Sequence, residues 1–459
     1  MISLQELSKA VSARDASRPC IEFERRWISW GEIRHVAERM GAPGEFTDES
    51  HGAACFRGAL RNTHPALLWG HRVCGNGERH DARAACRMGQ AEVRRYAGCL
   101  RGVRHNDRSR EMIMESTNRS QPPALVVGTG FGCRVHVPAL RAAGFEVVGL
   151  VGTDAERTKR RAEASGVPRA FTDLDDAITR TSAKLVTIAT PPHTHGPLSL
   201  LAISRGCHVL CEKPLASDTA EARAMLQAAE RAGVVHAVGH QFRWTPDRAI
   251  LARSIAAGLI GIPRLATLVQ YMSLVASPEA KMPSWWFDPE AEGGWLGASG
   301  SHLVDQVRAS LGEFVSVSAA LPIVSARKDV AEDSYVIRFQ LANGVEGVLQ
   351  QTAAAWGPGA SMTSVAGTEG TVWIENGSVK LADRSGTRDL PIPADLILPE
   401  PAQFGPFTRL CEALRAAMDG RASMSAVPVP TFVDGVACME VLDAIRRSAA
   451  HKGELVMLR

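Results

Sequence analysis

Three polar clusters follow short apolar runs and carry side chains able to exchange protons: Thr190-Pro191-Pro192-His193-Thr194-His195, Glu212-Lys213-Pro214, and His240 with Arg243. A proline removes a backbone donor and restricts the residue before it, so Lys213 is an aimed side chain. In a partly desolvated cleft such an amine has a lowered pKa and exchanges protons with an alcohol or carbonyl oxygen. Farther along, Gly293-Gly294-Trp295-Leu296-Gly297-Ala298-Ser299-Gly300-Ser301-His302-Leu303-Val304-Asp305 presents His302. Its imidazole titrates near neutrality and suits general acid/base work on an alcohol–carbonyl couple. A cofactor must take the hydride in such chemistry, and Gly128-Thr129-Gly130-Phe131-Gly132-Cys133 is a candidate cradle for one.

The elements around these residues follow from apolar periodicity. Ala124–Gly128 and Phe145–Val151 are continuous apolar runs, expected as strands buried on both faces. Strand, glycine turn, helix and strand within about thirty residues form the setting of a dinucleotide-binding unit. Gly128 permits the turn, Gly130 admits a pyrophosphate, and the helix start formed with Phe131 and Gly132 offers unpaired N–H groups. Cys133 occupies the third glycine position of that pattern and is small enough for helix–strand packing. Helices over Ala155–Ser165, Asp173–Thr179, Leu198–Arg205 and Thr219–Ala232 alternate with strands near Ala170-Phe171, Lys184–Ala189, His208–Cys211 and Val234–Val238. This alternation predicts a doubly wound parallel sheet, a Rossmann domain over 121–243. Its ligand is expected beyond the C-terminal strand ends. At the second strand's end a carboxylate would favour NAD, but the residues there are Gly152-Thr153, with Asp154 one step late and Arg157, Lys159 and Arg160 following. The cations lean toward the 2′-phosphate of NADP, while Asp154 remains within reach of a ribose.

The order and spacing of ATPPHTH, CEKPLA and VGHQFRW, with the glycine turn, resemble the Gfo/Idh/MocA family of oxidoreductases from Ala124 to the C-terminus. The resemblance implies that Lys213 bonds the substrate oxygen, and that Glu212 and the Thr190–His195 loop, with Pro191 and Pro192, border the nicotinamide ribose. It also implies a trio of lysine, aspartate and histidine. His302 and Asp305 match that pattern, but Ala298 stands where relatives carry the first aspartate. His302 is then left to act alone, or with Lys213 and a group borne by the substrate. His240, Arg243 and Asp305 are expected on the substrate side. Trp285, Trp286 and Trp295 suit either an apolar wall or core packing.

Beyond a helix over Pro246–Ala257, segments 266–271, 315–320, 334–339, 347–351 and 371–374 predict an α+β domain over 244–459 with a large, open, mainly antiparallel sheet. An exposed face of that sheet suggests a homo-oligomer. The first 120 residues differ in kind: one Lys and nineteen Arg stand against fifteen acids, with no sustained periodicity after Gly41. Residues 18–33 predict two short strands and a turn leading into a helix through Met40, and their pattern resembles the start of adenylate-forming enzymes. The remainder, with His71, Cys74, His80 and Cys86 out of zinc-site spacing, is expected to be a largely irregular appendage ahead of a functional start near Met114. No metal site is expected.

Over 459 residues the net charge is only +3 and no apolar run is of membrane-spanning length, so neither nucleic acid nor a membrane is an expected partner. Scattered cysteines and the absence of a secretory leader point to the cytoplasm. The reading is an NAD(P)-dependent oxidoreductase on a sugar, cyclitol or related polyol. Its alternatives are a cofactor-binding sensor or regulator without turnover, and an NAD-dependent glycosidase working through transient oxidation.

Overall fold

A computed structural model describes residues 121–289, 291, 293–421 and 427–458, together with the backbone of 19–23 and 26–29. In the N-terminal part, β1 (Pro19–Phe23) and β2 (Arg26–Ser29) pair antiparallel, as the strand–turn–strand pattern predicts. The helix expected through Met40, the His71–Cys86 cluster and the start near Met114 lie outside the described residues.

From Pro123 the chain builds a six-stranded parallel sheet. Its strands are β3 (Pro123–Val127), β4 (Glu146–Val151), β5 (Ala170–Phe171), β6 (Leu185–Ile188), β7 (His208–Cys211) and β8 (His236–Val238), in the spatial order β5-β4-β3-β6-β7-β8. Ala124, Leu125 and Val126 are fully buried because helices cover both faces, which explains the unbroken apolar runs. The helices are α1 (Val137–Ala142), α2 (Ala155–Ala164), α3 (Leu174–Thr181), α4 (His195–Ser204) and α5 (Thr219–Ala232). Three start alike: Asp154, Asp173 and Asp218 each accept the N–H three residues on, from Arg157, Asp176 and Glu221. Strand order reverses between β3 and β6, so the loops after Val127 and Ile188 open a crevice at that switch point.

The second half is a nine-stranded sheet. It comprises β9 (Pro263–Tyr271), β10 (Phe314–Ala320), β11 (Ser334–Leu341), β12 (Glu346–Thr352), β13 (Ala360–Gly367), β14 (Gly370–Glu375), β15 (Ser378–Asp383), β16 (Gly386–Leu390) and β17 (Val456–Met457). The order is β16-β15-β14-β13-β9-β12-β11-β10-β17, and β9 runs parallel to β12 while every other pair is antiparallel. Along β11, Tyr335, Ile337, Phe339 and Leu341 point inward and alternate with exposed residues, the mark of a sheet covered on one side. The covering helices include α6 (Pro246–Ala256) and α7 (Ser301–Leu311).

Two helices lie outside the elements expected from sequence: α8 (Gly405–Met418) and α9 (Phe432–Ala450). The second joins the halves. It packs on β10 of the large sheet and on α5 and β8 of the parallel one. A side chain at Gly435 would sit 2.4 Å from Leu215 and 2.9 Å from Val238, so α9 approaches the loop after Lys213 as closely as backbone allows. Its start is a capping box in which Thr431 and Asp434 satisfy each other's backbone N–H groups. Changing Thr431→Ala should lower stability by about 1 kcal/mol, read as a lower urea midpoint at unchanged slope.

Candidate active site

The crevice is assembled from its glycine turn upward. Gly128 has φ +116°, and a Cβ there would lie 2.3 Å from the Ala189 carbonyl oxygen, so the turn presses on the end of β6. Gly130 has nothing within 4 Å of a built Cβ, which leaves its backbone open to a ligand. The close helix–strand approach assigned above to Cys133 is made by Gly132, whose added Cβ would meet Val126 Cγ1 at 2.8 Å. A π turn, Gly132–His136, begins the helix that continues as α1. The N–H groups ahead of Arg134 have no acceptor behind them in the helix, and with the bare Gly130 they fit a pyrophosphate. At the end of β4, Asp154 caps α2 and Arg157 Nη2 donates to Thr153 Oγ1 at 3.1 Å.

The Thr190 and Lys213 loops are bolted together by His195. Its ring is fully buried, with Nδ1 2.9 Å from the Pro214 carbonyl and Nε2 2.9 Å from the Thr190 carbonyl. Burial pushes its pKa down against those two carbonyls, so the neutral ring donates to one of them at a time. With both nitrogens facing backbone oxygens, His195 holds Thr190, Pro191 and Pro192 in place. Thr194 Oγ1 adds a 2.7 Å bond to Thr190 Oγ1.

Glu212 and Lys213 sit at the centre. The Lys213–Pro214 peptide is cis. Glu212 is buried, and His136 Nε2 donates to its Oε1 at 3.2 Å. Burial disfavours the carboxylate, but His136 and Lys213 outweigh it and hold the group below its usual pKa. His136, unremarked in the sequence, is fully buried beside Phe407, with ring centroids 4.4 Å apart, and edge-on to Phe131 at 5.7 Å. Lys213 Nζ donates to the Ala298 carbonyl at 2.5 Å. Burial lowers its pKa, and Glu212 only partly restores it.

Ala298 lies in a second π turn, Leu296–Gly300, which leads directly into α7. His302, four residues on, therefore faces the same side as the carbonyl that Lys213 grips. Its ring stacks on Phe242 at 3.9 Å and lies 5.8 Å from His240. Nδ1 of His302 and Nε2 of His240 are buried without hydrogen-bond partners. Burial, then the charge of Lys213, holds His302 well below its ordinary pKa, so the imidazole is neutral.

Arg243 and Asp305 depart from the expectation of substrate contact. Arg243 Nε and Nη2 bind the two oxygens of Asp305 at 2.9 and 2.5 Å, and Nη2 also meets Asp434 Oδ1 at 2.8 Å. Asp305 is only 2% exposed, and His240 Nδ1 approaches its Oδ1 to 3.2 Å. Burial opposes ionisation of Asp305, but His240 and Arg243 hold it well below the usual carboxylate range. This pair braces α7 against α9 and the loop after β8. The sequence shows residue types and not their partners, so this pairing could not be read from it. Trp285, Trp286 and Trp295 pack on one another at 6.0 and 5.6 Å, and Trp295 is buried. Replacing Asp305→Asn should cost about 3 kcal/mol by leaving buried Arg243 undercompensated, measured by urea unfolding.

Residues 124–240 match the model of an oxidoreductase family with an NAD-binding Rossmann fold, GFO_IDH_MocA, and residues 249–373 match the GFO/IDH/MocA C-terminal domain. The chain is 30% identical to the 1,5-anhydro-D-fructose reductase of Ensifer adhaerens over 327 residues, 68% of this chain and 92% of that one. It is 30% identical to the levoglucosan dehydrogenase of Pseudarthrobacter phenanthrenivorans over 354 residues, 66% and 87% of the two. A solved structure of levoglucosan dehydrogenase with NADH and levoglucosan superposes with a TM-score of 0.66 at 25% identity, covering 74% of this chain and all of that one. From Ala124 onward, motif order, fold and crevice agree with these matches, and the chain belongs to the Gfo/Idh/MocA family of oxidoreductases.

Proposed function

We propose that the protein moves hydride between a nicotinamide dinucleotide and a CH–OH carbon of a sugar or related polyol. The observation that carries this reading is the meeting of Lys213, whose Nζ grips the Ala298 carbonyl, with His302, which lies within its electrostatic range. The kinship with anhydrofructose reductase, levoglucosan dehydrogenase and the D-apiose dehydrogenase of Paraburkholderia graminis supports the substrate class.

Bound in the crevice, the nicotinamide supplies hydride transfer, and the protein supplies alignment and proton movement. Gly130 and the start of the π turn would hold the pyrophosphate, and Thr153 and Asp154 would face the adenosine ribose. Glu212, fixed by His136, would border the nicotinamide ribose, and its charge keeps the neighbouring Lys213 oriented. Lys213 holds the substrate oxygen and, as the depressed-pKa amine, takes up its proton during oxidation. The neutral His302 ring, with an unpartnered nitrogen, is the second proton carrier. On the sign of these shifts, oxidation accelerates as pH rises toward the lowered lysine pKa, and reduction accelerates as pH falls. Replacing Lys213→Ala should reduce kcat by about 100-fold or more, erase that alkaline limb and leave NADH binding intact. Equal rates for the variant and the parent would falsify the role.

The reading of the cofactor is NAD, against the lean of the sequence toward NADP. Arg157, the nearest of the cations, is engaged with Thr153, and the Asp154 carboxylate would repel a 2′-phosphate. Fluorescence titration should find NADH bound at least about tenfold more tightly than NADPH, a gap that Asp154→Ala narrows; the opposite order would restore NADP. We place the protein in the cytoplasm, where its described cysteines, Cys133, Cys207, Cys211, Cys411 and Cys438, stay free thiols. No described helix is long and apolar enough to cross a membrane. The outer face of the large sheet exposes Leu265, Val336, Val348 and Met362, which supports sheet-to-sheet packing of subunits.

A further inference from the structure

Arg248, on the first turn of α6, has no carboxylate in ion-pair contact, and the charge of the adjacent Asp247 offsets its burial only in part. Its Nη1 donates to Gln306 Oε1 at 2.8 Å and its guanidinium lies over the Phe242 ring, 4.5 Å from the centroid. Among the described residues no carboxylate pairs with it, and its Nε–Nη2 edge has no acceptor. The neighbouring Asp247 points its Oδ1 at the Arg248 backbone N–H, 2.8 Å away. By contrast, Arg243 meets two carboxylates and Arg308 meets Glu313. A partly buried guanidinium left unpaired is costly unless a ligand completes it.

The surroundings face the reaction centre. Phe242 carries Arg248 on its ring and stacks on His302. The Tyr335 phenol, fully buried and within electrostatic range of Arg248, has the Ser299 hydroxyl beside it. His302 Nδ1 and His240 Nε2 are unpartnered. On this side of Lys213 the residues offer positive charge and donors. Asp305 is neutralised by Arg243, and position 298 contributes a methyl and a carbonyl and no carboxylate.

We propose that the substrate carries a carboxylate, held by the free Nε–Nη2 edge of Arg248 beside the Tyr335 hydroxyl, so that the substrate class is an acidic sugar, a uronate or an aldonate, and not a neutral polyol. The planar edge offers two parallel N–H groups, the geometry a carboxylate accepts. An anion there also offsets the charge of Lys213, which has no carboxylate at position 298 to do so. This inference rests on the hydride-transfer reading for its turnover assay but not for its binding assay.

The test compares hexuronates and aldonates with the matching hexoses and hexitols, following nicotinamide absorbance, and titrates the same compounds into the NADH-loaded protein by calorimetry. The acids should lead in kcat/KM by tenfold or more. Arg248→Gln should reduce their kcat/KM by roughly 10- to 100-fold, mainly through KM, and change neutral sugars less than threefold. Arg248→Lys should recover part of the loss. Ala298→Asp, an independent variant, should weaken acid binding by tenfold or more. Neutral sugars turned over as well as acids, or an Arg248→Gln loss equal for both, overturns the proposal and leaves the hydride reading standing. Acid binding that depends on Arg248 without any turnover upholds the carboxylate site and removes the hydride reading. No acid binding at all overturns the proposal.

Discussion

The site depends on keeping one ammonium group out of water and still oriented. Lys213 is pulled from both sides: Glu212 stands on the cofactor side, and the Ala298 carbonyl receives its Nζ from the large-sheet side. Neither partner neutralises it fully, so burial wins and the pKa falls. That balance requires Glu212 to stay ionised, which His136 ensures from a pocket closed by Phe131 and Phe407. The chemistry of one lysine therefore reaches to α8, more than 190 residues away in the chain, which supplies Phe407.

Rigidity comes from ionic and backbone contacts around this point. His195 ties two loops of the parallel sheet, and Arg243 with Asp305 and Asp434 ties α7 and α9 to the loop after β8. Buried pairs of this kind contribute less to net stability than to a unique arrangement, because desolvation offsets much of their attraction. The two π turns, at Gly132–His136 and Leu296–Gly300, both border the crevice. Each interrupts regular helical bonding where backbone groups are needed for something other than the helix.

What the sequence revealed was local. Gly128 and Gly130, the Lys-Pro dipeptide, the buried strands and the substitution at Ala298 could all be read because backbone sterics or residue chemistry restrict them within a few positions. The parallel pairing of β9 with β12 could not, since it joins segments about eighty residues apart and leaves both with ordinary alternation. Residues His136, Phe242, Arg248 and Tyr335 escaped notice for a similar reason: each acts through a neighbour from another element. Arg243 and Asp305 escaped in the opposite sense, as polar residues near a motif whose mutual pairing only the fold reveals. For α8 and α9 a signal was present, in the Phe407, Leu410, Cys411, Leu414 spacing and the Thr431–Asp434 cap.

The central claim is geometric, and electron density for a crystal soaked with NAD+ tests it most directly. The account predicts the pyrophosphate against Gly130 and the nicotinamide ring in the space bounded by Glu212, Lys213 Nζ and the His302 ring, with its C4 edge toward Lys213. Density that lies away from the glycine turn, or a ring turned from the lysine and the histidine, would contradict it.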